Sequence, residues 1–479
     1  MGNIMNSYIY NSLVVSMQAT VFIIMFIGLL QIFIYFIQLI IALYVFFDNP
    51  HKERKIQSIQ KNDGMLHPIT IIMPAYNESV TIIESIKSIL ATDYPNADVI
   101  VVNDGSTDDT FELINQFFNL EKTLHNLNTN NPNHLSHAQI KGVYVSRKDN
   151  RLRVIDKVNG GKADAHNAAI NLSRSPIICL LDADSILAPD ALTNAMVPFI
   201  DDPKTIAVGG TVRVANSCLI KNGVVKKIKL SKKYIVQLQI VEYMRSFLMA
   251  KVAWNHISAL PIISGAFGLF RRDFAIRIGG FSVGSVGEDY DFTVKLHKYI
   301  YDSKVDYKIK YVPTAICWTQ VPEKWSVLRN QRIRWHIGAL QTFFHFQNLT
   351  FDIKYRRISF LILPFSILTD IIGPLSEFLG YILLPLFWYL EVVNGNLVLS
   401  YFLLVICYNI LITSVAIAID GLLLKGLDKV KYLLSLFLIS LLENFGYRQI
   451  CLYWKLKGFL RLKKGKISWG KMERVKFDK

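Results

Sequence analysis

The sequence predicts an α/β domain, a mixed sheet flanked by helices, inserted between transmembrane α-helices. Two observations carry this. Long uncharged apolar blocks stand at both ends of the chain, and between them short apolar runs alternate with helical stretches, as strands do with their crossover helices. The 479 residues leave room for both parts. With 52% hydrophobic residues and a mean hydropathy of +0.30, the chain is too apolar for an ordinary soluble enzyme.

The membrane parts come first. No charged residue precedes Asp48, and residues 14–47 are almost wholly apolar, enough to cross a hydrocarbon layer of about 30 Å. A cleaved signal peptide needs a basic start and a small-residue cleavage site; neither is present, so residues 1–55 read as an anchor. The run "HKERK" at 51–55 then places that end in the cytoplasm by the positive-inside rule. Toward the other end, residues 373–390 and 397–419 read as a transmembrane hairpin turning at "EVVNGN", with the part before Pro374 interfacial. The connection "KGLDKVKY" and the tail from 456 are basic, which puts both inside. Three spans with an interfacial 430–455 fit these charges best, and two further short crossings there would also keep the tail inside. The expected divisions are an anchor over 1–55, a cytoplasmic domain over 56–345, membrane and interfacial helices over 346–455, and a basic tail over 456–479. The expected location is the plasma membrane, multi-pass.

A net charge of +16 admits nucleic acid, an anionic membrane face or anionic substrates; the apolar blocks favour the last two, and no nucleic-acid partner is expected. Five cysteines (Cys179, Cys218, Cys317, Cys407, Cys451) are scattered and never form a C-x-x-C pair, against a disulfide framework or a zinc site.

In the middle region "ITIIMPAYNES", "DVIVVNDGSTDDT", "PIICLLDADS" and "AVGGTVRV" read as strands, the first three ending in polar or acidic turns. Ligands of open α/β sheets bind beyond the carboxyl ends of the strands, where these residues fall. No G-x-G-x-x-G or P-loop follows a strand, so a dinucleotide fold or a nucleoside-triphosphatase loop is not expected. The polar loop 125–137 suggests no chemistry.

Three acidic clusters stand out. Asp104 ends a strand at a Gly-Ser turn, where Ser106, Thr107 and Asp108 could equally cap the following helix. Asp182 and Asp184, alternate residues at a strand end, point the same way; two close carboxylates are commonly relieved by a hard divalent cation that also takes phosphate oxygens. Glu288, Asp289 and Asp291 precede "TVKLHKYI", either as an acidic first helical turn favoured by the dipole or as the seat of a general base.

Taken together, "MPAYNES", "VNDGSTDDT", "NGGKADAHN", "LDADS", "SGAFGLFRR", "GED" and "QRIRW", in this order from residue 73 to 335, resemble the family 2 glycosyltransferases. The likeness is to the membrane-integrated processive branch of hyaluronan, chitin, cellulose and poly-N-acetylglucosamine synthases. The resemblance implies a GT-A-type glycosyltransferase fold and inverting transfer from a UDP-sugar, UDP-GlcNAc or UDP-Glc before others, to a growing polysaccharide that passes across the bilayer. It implies that Ala75, Tyr76, Glu78, Asp104, Lys162 and Asp182 surround the donor, that Asp184 with Asp182 holds Mg²⁺ or Mn²⁺, and that Asp289, with Glu288 beside it, is the base. Gln331, Arg334 and Trp335 would share one face of an interfacial helix, Gln331 and Arg334 toward the donor diphosphate, Trp335 with Gly265 toward the acceptor sugar. Accessory export or regulatory subunits are among the partners it admits. The tail "SWGKMER" at 468–474 resembles a W-G-T-R-like element, with Lys471 and Met472 departing from its pattern. Two alternatives remain: single-sugar transfer to a lipid carrier, and a non-catalytic membrane scaffold.

Overall fold

The computed structural model describes residues 2–47, 66–123, 133–221, 223–423 and 429–462. The basic run after the first helix, most of the polar loop 125–137 and the "SWGKMER" tail lie outside the described residues.

Twelve strands are present among the described residues: β1 (Ile69–Ala75), β2 (Ala97–Asp104), β3 (Leu120–Thr123), β4 (Ile140–Ser146), β5 (Leu152–Lys157), β6 (Ile177–Leu181), β7 (Ser185–Leu187), β8 (Thr205–Val214), β9 (Leu219–Lys221), β10 (Val224–Lys227), β11 (Phe267–Arg271) and β12 (Lys308–Thr319). Ten form one sheet in the order β3-β4-β5-β2-β1-β6-β11-β8-β12-β7, and β9 and β10 form a separate pair. The four neighbours β5, β2, β1 and β6 are parallel, whereas β11 runs antiparallel to β6 and β8. The sheet is therefore mixed, as expected, and contains the four strands legible in the sequence. Their near-continuous apolar runs are explained by helices on both faces; every residue of β6 is buried. One face packs on the helices Ile82–Leu90, Thr110–Phe118 and Ala191–Asp201, the other on Lys162–Leu172 and Glu288–Asp302.

Because β1, β2 and β6 are parallel, their carboxyl ends meet at one edge. The register pairs Ala75 with Asn103 on one side, and Asn103 with Asp156 and Asp104 with Lys157 on the other. Three chain-distant loops thus open onto one place.

Two helical segments cover that edge. One runs from Tyr234 through a π-helical turn, Arg245–Ala250, to His256; such widened turns concentrate at functional sites. The other is Trp325–Phe346. It seats closely on the turn before Glu288, because Gly338 meets Gly287: a Cβ on Gly338 would stand 2.7 Å from the Gly287 Cα.

Three helices, Ile9–Phe47, Ile358–Tyr389 and Gly395–Leu423, are long and apolar enough to cross a membrane, and the protein is a membrane protein. The segment before Pro374, expected to be interfacial, is continuous with the second of these helices. Two π-helical turns, Ile358–Ile362 and Ile367–Ile372, carry it past Pro364 to Pro374, where a missing amide N–H interrupts the α-helical ladder. Residues 430–455 form two helices that meet at 60°, turning at Gly446 with φ +96°, a conformation glycine adopts without steric cost. Buried ion pairs dock the α/β domain on the membrane helices: Arg213 to Asp420 at 2.6 Å, and Arg245 to Glu443 at 2.8 Å.

Candidate active site

The first three strand-end loops are stitched to one another. Asn77, in the left-handed region at φ +57°, accepts the Thr107 N–H at 2.8 Å, and its own N–H goes to Ser106 Oγ at 3.1 Å. Asp108 accepts the N–H groups of Ser79 and Thr110; these bonds hold its carboxyl below the ordinary range against the opposing effect of partial burial. Thr110 Oγ1 accepts the N–H of Glu78, and Glu78 in turn accepts from Thr81 Oγ1 at the start of the next helix. Ala75, Tyr76 and Glu78 therefore line a cavity whose rim is fixed by backbone bonds.

Asp104 is buried and anchors the "NGGK" loop. Its carboxylate takes the Lys157 ammonium at 2.5 Å and the N–H groups of Gly160 and Gly161 at 3.0 and 2.8 Å. Lys157 is wholly buried and also meets Asp164 at 2.5 Å. Both glycines are required. A Cβ on Gly160 would lie 2.4 Å from the Asp164 Cγ, and Gly161 has φ +90°.

Lys162 follows at the start of the next helix and faces the acids. Its ammonium is 2.7 Å from Asp182, 3.4 Å from Glu288 and 3.3 Å from the Gly265 carbonyl. Burial by itself would lower its pKa, but Asp182, Glu288 and Asp289 outweigh burial and raise it, so Lys162 stays charged. Burial pushes the Glu288 carboxyl up, Lys162 opposes this, and Asp289 adds to it. One lysine among several acids explains both directions. Asp289 is held by two backbone donors, Gly265 N–H to Oδ2 at 2.9 Å and Tyr290 N–H to Oδ1 at 2.9 Å. Gly265 thus joins Lys162 to Asp289, and a Cβ there would come within 3.0 Å of the lysine Nζ. Asp184 is buried beside them and accepts from Thr319 Oγ1 at 3.2 Å.

The helix Trp325–Phe346 closes the site. Gln331, Arg334 and Trp335 all line the cavity. Gln331 is 8% exposed, and its Oε1 has no hydrogen-bond partner among the described residues. Trp335 is 42% exposed, and Arg332 lies over its ring at 4.6 Å. Arg332 also pairs with Glu242, which accepts from Tyr447 as well, tying this helix to the one after Gly446.

The comparisons follow this geometry. A glycosyl transferase family 2 model matches residues 70–279, and a glycosyl transferase family group 2 model matches residues 177–420, half of the chain. The chain belongs to the family 2 glycosyltransferases. This glycosyltransferase is 28% identical over 331 residues to a poly-β-1,6-N-acetyl-D-glucosamine synthase of Staphylococcus epidermidis, covering 69% of this chain and 68% of that one. It is 30% identical over 316 residues to the synthase of that name from Staphylococcus aureus, covering 65% and 63%. Among solved structures, a mannosyltransferase from Pyrobaculum calidifontis, determined with GDP-Man and Mn²⁺, superposes with a TM-score of 0.52 at 18% identity, covering 92% of this chain and 99% of that one. That likeness bears on the GT-A-like fold.

The expected site residues line a single large cavity: the donor group, both DAD carboxylates, Glu288, Asp289, Gly265 and the Gln331, Arg334 and Trp335 face. Asp291 does not. It turns away to accept from Ser282 at 2.5 Å and to meet His345 at 2.7 Å, which fixes the acidic turn instead. Sequence reading missed Lys157, Glu242, Lys251 and Thr319. Lys157 shares its strand, "LRVIDK", with Arg153 and Asp156, so nothing in that run marked it, and the others are single polar residues with no spacing to mark them.

Proposed function

We propose that this glycosyltransferase is a processive, inverting polymerase that builds a β-linked polysaccharide of N-acetylglucosamine from its UDP-sugar and passes the chain outward through its membrane helices. The observation that carries this reading is the reach of the cavity. It begins at Asp104 and the DAD carboxylates and continues to Tyr35 and Gln38 of the first membrane helix, Phe365 and Thr369 of the second, and Asn409 and Ile412 of the third. At about 1650 Å³ it exceeds the roughly 300–1000 Å³ typical of a small-molecule pocket, leaving room for a donor and several sugars of a chain. The names of the staphylococcal relatives favour N-acetylglucosamine.

In the proposed reaction, Asp289 removes the proton of the acceptor hydroxyl as that oxygen attacks the anomeric carbon from the face opposite the diphosphate. The bond from the anomeric carbon to the diphosphate oxygen breaks, the new glycosidic bond forms with inversion, and the proton rests on Asp289. The two backbone N–H groups on its oxygens hold the carboxylate in place for this. Lys162 and Arg334 face the leaving diphosphate and offset its charge. Trp335 offers the terminal sugar an apolar face. The acids Asp182, Asp184, Glu288 and Asp289 outnumber Lys162 at the strand ends. Asp184 and Asp182 would hold Mg²⁺ or Mn²⁺, with phosphate oxygens completing the shell. Such a cation would neutralise the diphosphate as it departs.

The basic flanks place the α/β domain in the cytoplasm and the turn near Asn394 outside. Incubating the purified full chain with labelled UDP-GlcNAc and UDP-Glc, with and without chelator, and sizing the product tests the whole reading. A polymer of N-acetylglucosamine is expected, abolished by chelator. A product extended by one sugar, or no UDP release from any donor, would overturn it.

A further inference from the structure

The cavity wall between Asp289 and the membrane helices carries a feature that the reaction above does not use. Phe247, Lys251 and Trp254 lie at i, i+4 and i+7 across the π-helical turn and the helix Lys251–His256, a spacing that puts side chains on one helical face. All three are nearly buried, at 7%, 6% and 7% exposure, yet all three line the cavity. The Lys251 ammonium sits 4.3 Å from the Phe247 ring centre. Among the described residues it has no carboxylate or hydrogen-bond partner. Burial brings its pKa down to about 8, with the Asp289 charge opposing, so it still carries a proton at neutral pH. An unpaired ammonium in an apolar wall is costly to keep, and a protein holds one where a ligand will answer it.

A second, independent observation lies across the same cavity. Gln38, on the first membrane helix, is 5% exposed, and neither its Oε1 nor its Nε2 has a partner among the described residues. Most buried polar side chains are hydrogen-bonded. Both residues, one charged and one amide, line the same cavity as Phe247 and Trp254.

We infer that Gln38, Lys251, Phe247 and Trp254 form a subsite for an N-acylated sugar of the growing chain, and that this subsite rejects a cationic amino sugar. The inference rests on the polymerase reading. Phe247 and Trp254 present apolar surface to the pyranose and to the acyl methyl group. The Lys251 ammonium donates to the acyl carbonyl oxygen, a charge-assisted bond in a low-dielectric wall. The Gln38 amide, able both to donate and to accept, pairs with the acyl N–H or a neighbouring hydroxyl. A glucosamine unit in the same place would set one ammonium against another, a repulsive element of the kind that sets specificity. Lys251 is a specificity-determining residue in this assignment; it takes no part in bond making.

The test is binding, which does not depend on turnover. The purified full chain in detergent is titrated with β-linked N-acetylglucosamine tetramers, fully acetylated or fully deacetylated, near pH 6, where both the Lys251 amine and the sugar amines are charged. The wild type should bind the acetylated tetramer at least about tenfold more tightly, since a hydrogen bond to a charged group contributes roughly 1.5–3 kcal/mol. Lys251→Met should weaken acetylated binding and shrink that ratio to about threefold or less, Lys251→Glu should reverse the preference, and Gln38→Leu should weaken acetylated binding at an unchanged sign of preference. Equal affinities in the wild type, no binding of either tetramer, or an unchanged ratio in Lys251→Met would each overturn the subsite. The wild-type ratio decides the matter even where a variant fails to fold. UDP release from UDP-GlcNAc, measured on the same wild-type sample, keeps the two readings apart. Release with no preference between tetramers sinks the subsite alone, and a preference without release sinks the polymerase reading.

Discussion

The two ends of the cavity are built differently. At the sheet end, Asp104, Lys157 and Asp164 pair with one another: each charge has an opposite charge at 2.5 Å, and the carboxylate of Asp104 takes three donors. At the membrane end, Gln38 and Gln331 each leave a buried side-chain oxygen with no partner among the described residues, and Lys251 has an aromatic ring for company. The Asp104–Lys157–Asp164 cluster pairs its charges without a ligand, whereas the acids of the DAD turn and the membrane end keep groups for one. The difference fits a site that keeps one rigid seat for a donor of constant shape and a more permissive wall along which a chain must move after each addition. A fully satisfied wall would hold the chain in place.

The comparison can be broken first at its centre. Asp289→Asn removes the proton acceptor between the two ends and should reduce transfer by about 10² to 10⁴, while UDP binding to the purified protein persists. Turnover within tenfold of wild type would remove Asp289 from the mechanism.

Next is the sheet end. Lys157→Met leaves the Asp104 and Asp164 carboxylates buried with no cation between them, and breaking a buried pair in this way costs about 3–5 kcal/mol. A marked fall in melting temperature, together with loss of UDP affinity, is expected from thermal denaturation and titration of the variant. A stable Lys157→Met protein with wild-type UDP affinity would show that this end is not the rigid seat.

At the open end, Trp335→Ala should lower polymer synthesis by about 10²-fold through misplacement of the acceptor hydroxyl, whereas Trp335→Phe keeps an apolar face and should retain most of the rate. Polymer length and UDP release per folded enzyme read this directly. Equal loss in both variants would assign Trp335 to its Arg332 contact instead of to the sugar.

The smallest effect is also the most specific to the comparison. Because Lys251 is an unanswered charge in the absence of a chain, Lys251→Met should stabilise the free protein, raising its melting temperature by about 2 °C. The folded-state pKa of Lys251, about 8, lies below its ordinary value of 10.5. The unfolded chain therefore binds more protons between those pH values, and the wild type gains stability as pH rises through that window. The advantage of Lys251→Met should be greatest below pH 8 and close toward pH 10.5. A variant less stable than wild type throughout would place Lys251 among the structural residues.

The sequence by itself determined the strand-end chemistry. Asp104, Asp182 and Asp184 could be found because local rules governed them: an apolar run must end, its last residues must point past the sheet edge, and acids gathered there need a reason. The membrane helices were legible for the same kind of reason, since a long uncharged apolar block has few other uses. Their limits were less so. The π-helical turns that extend the second span back to Ile358 depend on how neighbouring helices accommodate Pro364 and Pro374, which no local pattern states. Asp291 illustrates the other limit. It shares a helical turn with Asp289, and only the packing of Ser282 and His345 against it turned it from the cavity. Lys157, Glu242 and Lys251 are the residues that the tertiary structure alone could assign. None is marked by its neighbours in sequence, and the meaning of each lies in a partner tens of residues away: Asp104 through the β2–β5 register, Arg332 through the covering helix, and, for Lys251, an open cavity. Burial gives a lone charge its significance, and burial is decided by chain segments that meet only when the fold is complete.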